Sequence, residues 1–426
     1  MRVEPITCYR PRPELASEFV APPYDVFDLE GARSYVRERP RSFLAVDRPE
    51  TAFPPEHDPC ADDVYEKAHE LLAARAADGT LLREGTRCFY LWRQRWAAGE
   101  RTGIVGAFAV DDYTNGIIRR HELTRAAKEE DRTRHIRATN CQTGPALLAY
   151  RDNPVLGALV EAAKTAEPLY DFVDGDDVRQ TVWRVARPAA VESLRLMLGY
   201  VERAYIADGH HRIAAAERIC REMRTSEKDG CSGTEAYNFF LGALFPASQL
   251  SVRAYNRVVA DAAGLAEDEL VSAVEAQGFH VGPRLDAPVE PEAPGVFGMY
   301  AFGAWRRLEL TAPAPDDPRA ALDVSLLQDR VLGPVLGIEN PGEDPRIEFV
   351  SGTAGMGELK RRAGEKGAAF SLYPTTLSQL MAVADAGELM PPKSTWFEPK
   401  LPCGLFVRRI NHRESILDGT RRALGE

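Results

Sequence analysis

Hydrophobic positions along this chain follow two different spacings. Val64, Ala68, Leu71 and Leu72 recur at helical intervals and predict a helix over Asp62–Ala77. Residues 88–94 and 103–110 are instead short apolar runs, and Ala98-Gly99-Glu100 between them predicts a hairpin. The same reading gives strands at 143–151, 180–185, 201–207 and 239–245, and helices at 153–166 and 212–223. Beyond these, helices are predicted at 266–277, 322–335 and 376–386, a hairpin at 296–310 around Gly303, and strands at 346–350, 369–373 and 405–409. Strands and helices therefore intermingle throughout, which predicts an α+β (mixed α/β) protein. The first sixty residues are rich in proline, and Pro22-Pro23-Tyr24-Asp25 interrupts any regular element there. A change of texture near residue 257 divides the chain into regions 1–257 and 258–426.

Composition narrows the class of protein. The chain has 426 residues, 44% hydrophobic and 27% charged, enough apolar material for a core in each of two or three domains. Acids outnumber bases 64 to 53, giving a net charge of −11 and no overall basic footprint for nucleic acid. No apolar run approaches the roughly 18 residues of a membrane span, and the start lacks a signal-peptide pattern. The seven cysteines are scattered, odd in number and without a CxxC pair, which fits a reducing cytoplasm.

The sharpest chemical signal is Tyr205-Ile206-Ala207-Asp208-Gly209-His210-His211-Arg212, followed by an alanine-rich helix. A glycine turn between a strand and a helix lets a ligand approach the backbone, and the helix start offers amide donors to an anion. His210, His211 and Arg212 add side-chain donors at the same place, so backbone, imidazole and guanidinium could together hold a phosphate. Asp208 would cap the helix, hold a metal or accept a proton. An ordinary Asp-Gly turn with solvated histidines explains the same residues without function. Adjacent histidines diverge on a helix, which argues against one zinc ion bound by both.

A second signal is the run 119–137, with seven Arg or Lys against four Asp or Glu. If helical, it places Glu122, Arg125 and Glu129 on one face, and Lys128, Asp131 and Arg132 on another. It reads either as a solvated helix of ion pairs or as a phosphate clamp holding a carboxylate base, drawing on Arg119, Arg120, Lys128 and Arg132. His121-Glu122-Leu123-Thr124-Arg125 is not the HExxH zinc motif, since Arg125 replaces the second histidine. Asn140, Gln142 and Thr143 form a polar stretch that would either read a small ligand or make a turn. Residues 391–400, with Lys393, combine cations, hydroxyls and aromatics, and either close over a site or dock the tail. Pro22-Pro23-Tyr24-Asp25 reads as structural rather than catalytic, and Cys141 lacks an evident nucleophile partner. There is no GxxxxGK[ST] loop, no strand-linked GxGxxG and no GxSxG elbow.

The stretches APPYDV (21–26), RTGIVGAFAVDDY (101–113), IIRRHELTRAAKEEDR (117–132), TNCQTGP (139–145), YIADGHHRIAAA (205–216), LDVSLLQD (322–329), FSLYPTTLSQLMAVADAGELMPPKSTWFEPKL (370–401) and GLFVRRI (404–410) resemble the DUF1015 family. Asp208-Gly209-His210-His211-Arg212, between its strand and helix, is also similar to the signature of the ParB/sulfiredoxin superfamily. That resemblance implies a nucleotide-binding core, elaborated here by a second α+β region. One branch with the same DGHHR string comprises free-serine kinases that use ATP or ADP. By that likeness Asp208 is a catalytic residue, and Gly209, His210, His211 and Arg212 bind phosphate. The branch's upstream glutamate falls on Glu122, the carboxylate of the charged run before the motif.

The expectation is a nucleotide-dependent phosphotransferase with ATP or ADP and Mg²⁺. It acts on the hydroxyl of a small molecule, with free L-serine as the acceptor that the resemblance implies. Asp208 and Glu122 do the chemistry. Gly209, His210, His211, Arg212, Arg119, Arg120, Lys128, Arg132, Asn140, Gln142, Thr143 and Lys393 hold the nucleotide. No nucleic-acid or membrane partner is expected. The alternatives are a nucleotide-gated switch without small-molecule chemistry and a metal-dependent hydrolase using His121, His210 and His211.

Overall fold

The computed structural model describes residues 1–227 and 230–410. The chain forms two compact units: 1–119 with 124–250 and the tail from 399, and a second of 120–123 with 251–398. The sequence texture divides the chain once, near 257. The packing divides it at 250 and returns the chain to the first unit at 399.

The first unit is built on a nine-stranded mixed sheet among the described residues. Its strands are β1 (Val3–Glu4), β2 (Phe89–Trp96), β3 (Gly99–Ala109), β4 (Ile118–Arg119), β5 (Ala146–Tyr150), β6 (Tyr170–Val173), β7 (Arg179–Val185), β8 (Ala204–Asp208) and β9 (Phe239–Pro246). They run in the order β4-β8-β5-β9-β3-β2-β7-β6, with β1 beside β3. The β4–β8 and β5–β9 pairs are parallel and the others antiparallel. Ile104, Phe108, Leu148, Ile206 and Leu244 from the central strands join one buried core. These strands are apolar on both faces because both faces are covered.

The helices of this unit include α1 (Leu29–Glu38), α2 (Asp62–Ala77), α3 (Ala126–Thr139), α4 (Pro154–Ala163), α5 (Pro188–Gly199) and α6 (His210–Ser226). Asn153 caps α4, its side chain accepting from the amides of Val155 and Leu156. On α6, Ile213, Ala214, Ala215 and Ala216 are buried. Ile136 of α3 packs with Ala215, Ile219 and Ile410. Ion pairs Arg218–Glu130 at 2.6 Å and Arg137–Glu222 at 2.9 Å also link these two helices.

The charged run departs from the sequence expectation. Its helix starts only at Ala126, so residues 119–125 are not helical beyond the short strand end at Arg119. Glu122, Arg125 and Glu129 therefore do not share a helix face. Thr124 Oγ1 donates to Glu129 Oε2 at 3.0 Å at the entry to the helix. Nor is α3 a solvated helix, since Arg132, Thr133, His135 and Ile136 are buried.

The second unit carries a six-stranded antiparallel sheet. Its strands are β10 (Tyr255–Val259), β11 (Phe279–Val281), β12 (Val296–Ala301), β13 (Ala304–Leu310), β14 (Ile347–Ser351) and β15 (Ala368–Leu372), in the order β11-β13-β12-β15-β10-β14. Helices α7 (Glu267–Ala276), α8 (Met356–Ala363) and α9 (Leu377–Asp385) accompany it. Val258, Tyr300, Trp305, Val350 and Leu359 form its core. The helix expected over 322–335 is an α-helix only at Asp323–Leu327 and continues as a π-helix at Gln328–Leu332. Of the strand expected at 405–409, Arg408–Arg409 is formed. Among the described residues, no helix is long and apolar enough to cross a membrane.

Candidate active site

The site begins at the end of β8. Ile206 pairs with Leu148 and Asp208 with Leu147, so Ala207 is an extra residue on its strand. Such a bulge re-aims the side chain that follows it. Gly209 then takes φ +91°, a conformation that disfavours any residue with a Cβ, and α6 starts at once. An added Cβ there would also lie 3.2 Å from the backbone of Ala146.

Asp208 does not serve as the side-chain cap of α6. Its Oδ1 accepts from the Gly209 amide at 2.8 Å, and its Oδ2 accepts from Lys400 Nζ at 2.8 Å. Burial opposes the carboxylate's charge. Lys400 more than offsets that, with His210 and the Gly209 amide helping, so the Asp208 pKa lies well below its usual value. The carboxylate is nevertheless 39% exposed and Lys400 21%, so the pair faces solvent.

His211 Nε2 accepts from the Arg125 amide at 3.0 Å, which requires that nitrogen to carry no proton. Burial and the nearby Lys128 and Arg125 lower its pKa, against Asp25 and Asp208. Both facts describe a neutral imidazole rather than a cation. His210 is buried at the first turn of α6. The amides at a helix start have no carbonyl one turn earlier, and here the first bonds inside the helix run from Arg212 and Ile213 to the Gly209 carbonyl.

Arg212 turns inward. Its Nη2 lies 3.1 Å from Cys403 Sγ and 3.8 Å from Asp47 Oδ2. Its guanidinium also stands 5.1 Å from the Tyr24 ring centroid, where Arg132 (4.1 Å) and Lys128 (5.8 Å) gather too. Three cations thus surround one tyrosine of the APPYDV stretch. Burial raises the Tyr24 pKa to about 12, so its hydroxyl stays protonated. Asp47 is fully buried and accepts from Thr143 Oγ1 at 2.6 Å. Despite burial, Arg212, His135, Arg132 and the Thr143 hydroxyl keep its pKa low. His135 bonds the Val46 carbonyl at 2.8 Å, and burial with Arg132 pushes its pKa down to about 4. Gly144 makes room for this cluster: a Cβ there would lie 2.8 Å from Arg212 Nη1.

The structure therefore brings Asp208, Gly209, His211, Arg212, Lys128, Arg132 and Thr143 into one region of the first unit. Others of the sequence candidates have different surroundings. Gln142 is bound to strand backbone, donating to the Phe239 carbonyl at 3.1 Å and accepting from the Leu241 amide at 2.8 Å. Asn140 is exposed and ends α3 in the left-handed conformation at φ 53°. Arg119 Nε donates to the Gly116 carbonyl at 3.2 Å. Arg120 and Glu122 lie in the short piece that belongs to the second unit, as does Lys393. Lys393 has φ 56°, and its ammonium lies 5.6 Å from the Tyr255 ring. Within the second unit, the buried His121 accepts from the Met390 amide through its carbonyl at 2.8 Å and lies 3.4 Å from Thr395 Oγ1.

Sequence reasoning set Tyr24 aside as structural, took Lys393 rather than Lys400 from residues 391–400, and missed Asp47 and Cys403. The motif stretches containing Tyr24 and Lys400 were the available signals. Asp47 sits in an unremarkable Leu-Ala-Val-Asp-Arg segment and had none.

The first unit is thus a mixed α/β protein with an ionised carboxylate at a strand end, beside a helix start and a set of cations. The chain belongs to the DUF1015 family, described as protein of unknown function, whose model matches residues 3–325. No curated protein matches it. Among solved structures, it is similar to SbnI with C-terminal truncation from Staphylococcus aureus. That match has 13% identity and a TM-score of 0.38, over 75% of this chain and 93% of that one. It is also similar to a free serine kinase in complex with AMP, with 14% identity and a TM-score of 0.35, over 74% and 93%. A conserved hypothetical protein from Pyrococcus furiosus has 14% identity and a TM-score of 0.34, over 72% and 95%.

Proposed function

We propose that the protein is a nucleotide-dependent phosphotransferase acting on the hydroxyl of a small molecule, with ATP or ADP as donor. The observation that carries this reading is the Asp208–Lys400 pair at 2.8 Å, set where Gly209 opens α6. Phosphoryl transfer depends on positioning and cations more than on covalent chemistry. The α6 start, Lys128, Arg125 and Lys400 would meet the phosphates. The neutral His211 would contribute a hydrogen bond rather than charge.

In the resting pair Asp208 is too weak a base to take a proton readily, because Lys400 stabilises its anion. A phosphate competes for Lys400 and restores the basicity of Asp208 toward an incoming hydroxyl. Arg212 and Arg132, tied to Asp47 and Tyr24, act as the internal scaffold of the site. Glu122, chosen for its place in the charged run before the motif, is the second candidate base. Mg²⁺ would supply charge neutralisation on the phosphates.

The test is to incubate purified protein with labelled ATP or ADP, Mg²⁺ and a panel of alcohols including L-serine, and to follow label into the alcohol. Asp208→Asn is expected to lose at least 100-fold in rate, with a melting temperature only modestly lowered because the Asp208–Lys400 pair is partly exposed to solvent. Glu122→Gln tests the second carboxylate in the same assay. Absence of nucleotide binding by calorimetry would refute the proposal.

A further inference from the structure

The first unit contains a cleft of about 410 Å³, walled by segments 17–23, 35–41, 174–178 and 399–402. That volume lies within the ~300–1,000 Å³ of pockets that enclose small organic ligands. Much of its wall is proline: Pro22, Pro23, Pro40, Pro399 and Pro402. The guanidinium of Arg39 stands 4.6 Å from the ring centroid of Tyr35, which makes a flat platform on one side.

The charges in the cleft are mostly answered locally. Arg41 meets Glu18 at 3.3 Å, and Arg39 meets Glu38 at 3.3 Å. Asp174 accepts from Gln180 Nε2 at 2.7 Å and from the amides of Asp176 and Val178. Lys400 is the exception in kind. It lines the cleft, yet its ammonium reaches Asp208, the centre of the proposed chemistry. A largely apolar cleft whose charged walls mostly pair with one another, with a cation at the end nearest Asp208, suits a flat body joined to an anionic group.

We propose that this cleft holds the nucleoside part of the nucleotide, with the base on the Tyr35–Arg39 platform and Lys400 meeting the adjoining phosphate. Bases stack on aromatic faces, and an arginine guanidinium adds a cation–π contact to them. The inference rests on the nucleotide reading above.

The test uses the full chain and ADP carrying a photoreactive azide on its base. Cross-linked peptides are expected within 17–23, 35–41, 174–178 or 399–402, and labelling confined elsewhere overturns the proposal. In parallel, calorimetry with ADP is run on Ser17→Trp, which fills the cleft from an exposed position, and on Arg39→Ala, which removes half of the platform. Arg39 is exposed, so its removal leaves the core intact. The Kd is expected to rise at least 10-fold in the first and several-fold in the second. An unchanged Kd in both, with wild-type binding intact, overturns the cleft assignment and leaves the nucleotide reading standing. No ADP binding by the wild type ends both.

Discussion

Replacing Asp47 with asparagine puts the buried scaffold of the site to a quantitative test. Asp47 is fully buried, accepts from Thr143 Oγ1 at 2.6 Å and faces Arg212 Nη2 at 3.8 Å. Arg132 Nη2 also donates to its carbonyl oxygen at 3.3 Å. The substitution keeps the volume but removes the negative charge, leaving Arg212 and Arg132 without it. Losing one partner of a buried pair costs about 3–5 kcal/mol. The retained amide oxygen can still accept from Thr143, so the lower end applies, about 3 kcal/mol. At about 2–4 °C per kcal/mol for a domain of this size, the first unit's transition is expected to fall by about 6–12 °C.

Urea denaturation at pH 7 measures the loss, and Arg212→Met with the double variant completes a cycle whose coupling should exceed 1 kcal/mol. The pH dependence adds a second check. Asp47's pKa is depressed on folding, so its contribution is full above the unfolded value of about 3.9 and fades as pH falls through the lower folded value. The stability gap between wild type and Asp47→Asn is therefore expected to start shrinking only below about pH 4 and to close as pH passes the lower folded value. A loss under about 1 kcal/mol, or a gap that persists unchanged in acid, would refute the buried-pair argument.

Three further outcomes follow from the same geometry. Lys400→Met frees Asp208 from its depressed state, so the carboxylate's pKa, followed by NMR, is expected to rise above that of wild type; the same variant should bind nucleotide at least 10-fold more weakly. Gly144→Ala forces a methyl to within 2.8 Å of Arg212 Nη1 and 3.1 Å of Cys403 Sγ, so it is expected to cost about 1–3 kcal/mol in urea denaturation. A thiol reagent at neutral pH is expected to modify Cys60 and Cys231, the exposed cysteines, within minutes. Cys8, Cys88 and Cys403 should wait for unfolding, because burial raises their thiol pKa values and blocks access.

Local order was legible in the sequence where local physics decides it. The helix Asp62–Ala77 has the bounds its periodicity predicts, and the hairpins 88–110 and 296–310 form around their turn signals. The strand, glycine turn and helix at 204–226 likewise follow from β-prone residues, a glycine able to take φ +91° and an alanine-rich run. Resemblance of the motifs sufficed to place the chain in its family.

What the sequence could not determine is where charges end up. In Arg119–Arg137 the same residues can serve a solvated helix or a site; only packing against Tyr24 and α6 buries Arg132 and leaves Lys128 at the rim. Arg212 reads as a phosphate ligand from its position after Gly209. In the folded unit it turns toward Asp47, some 165 residues earlier in the chain by the numbering. Lys400 reaches Asp208 only because the tail returns to the first unit. Pairings of this kind have no periodicity and no local spacing. They arise because a buried charge must find its partner wherever the fold has brought one, and tertiary structure alone decides that.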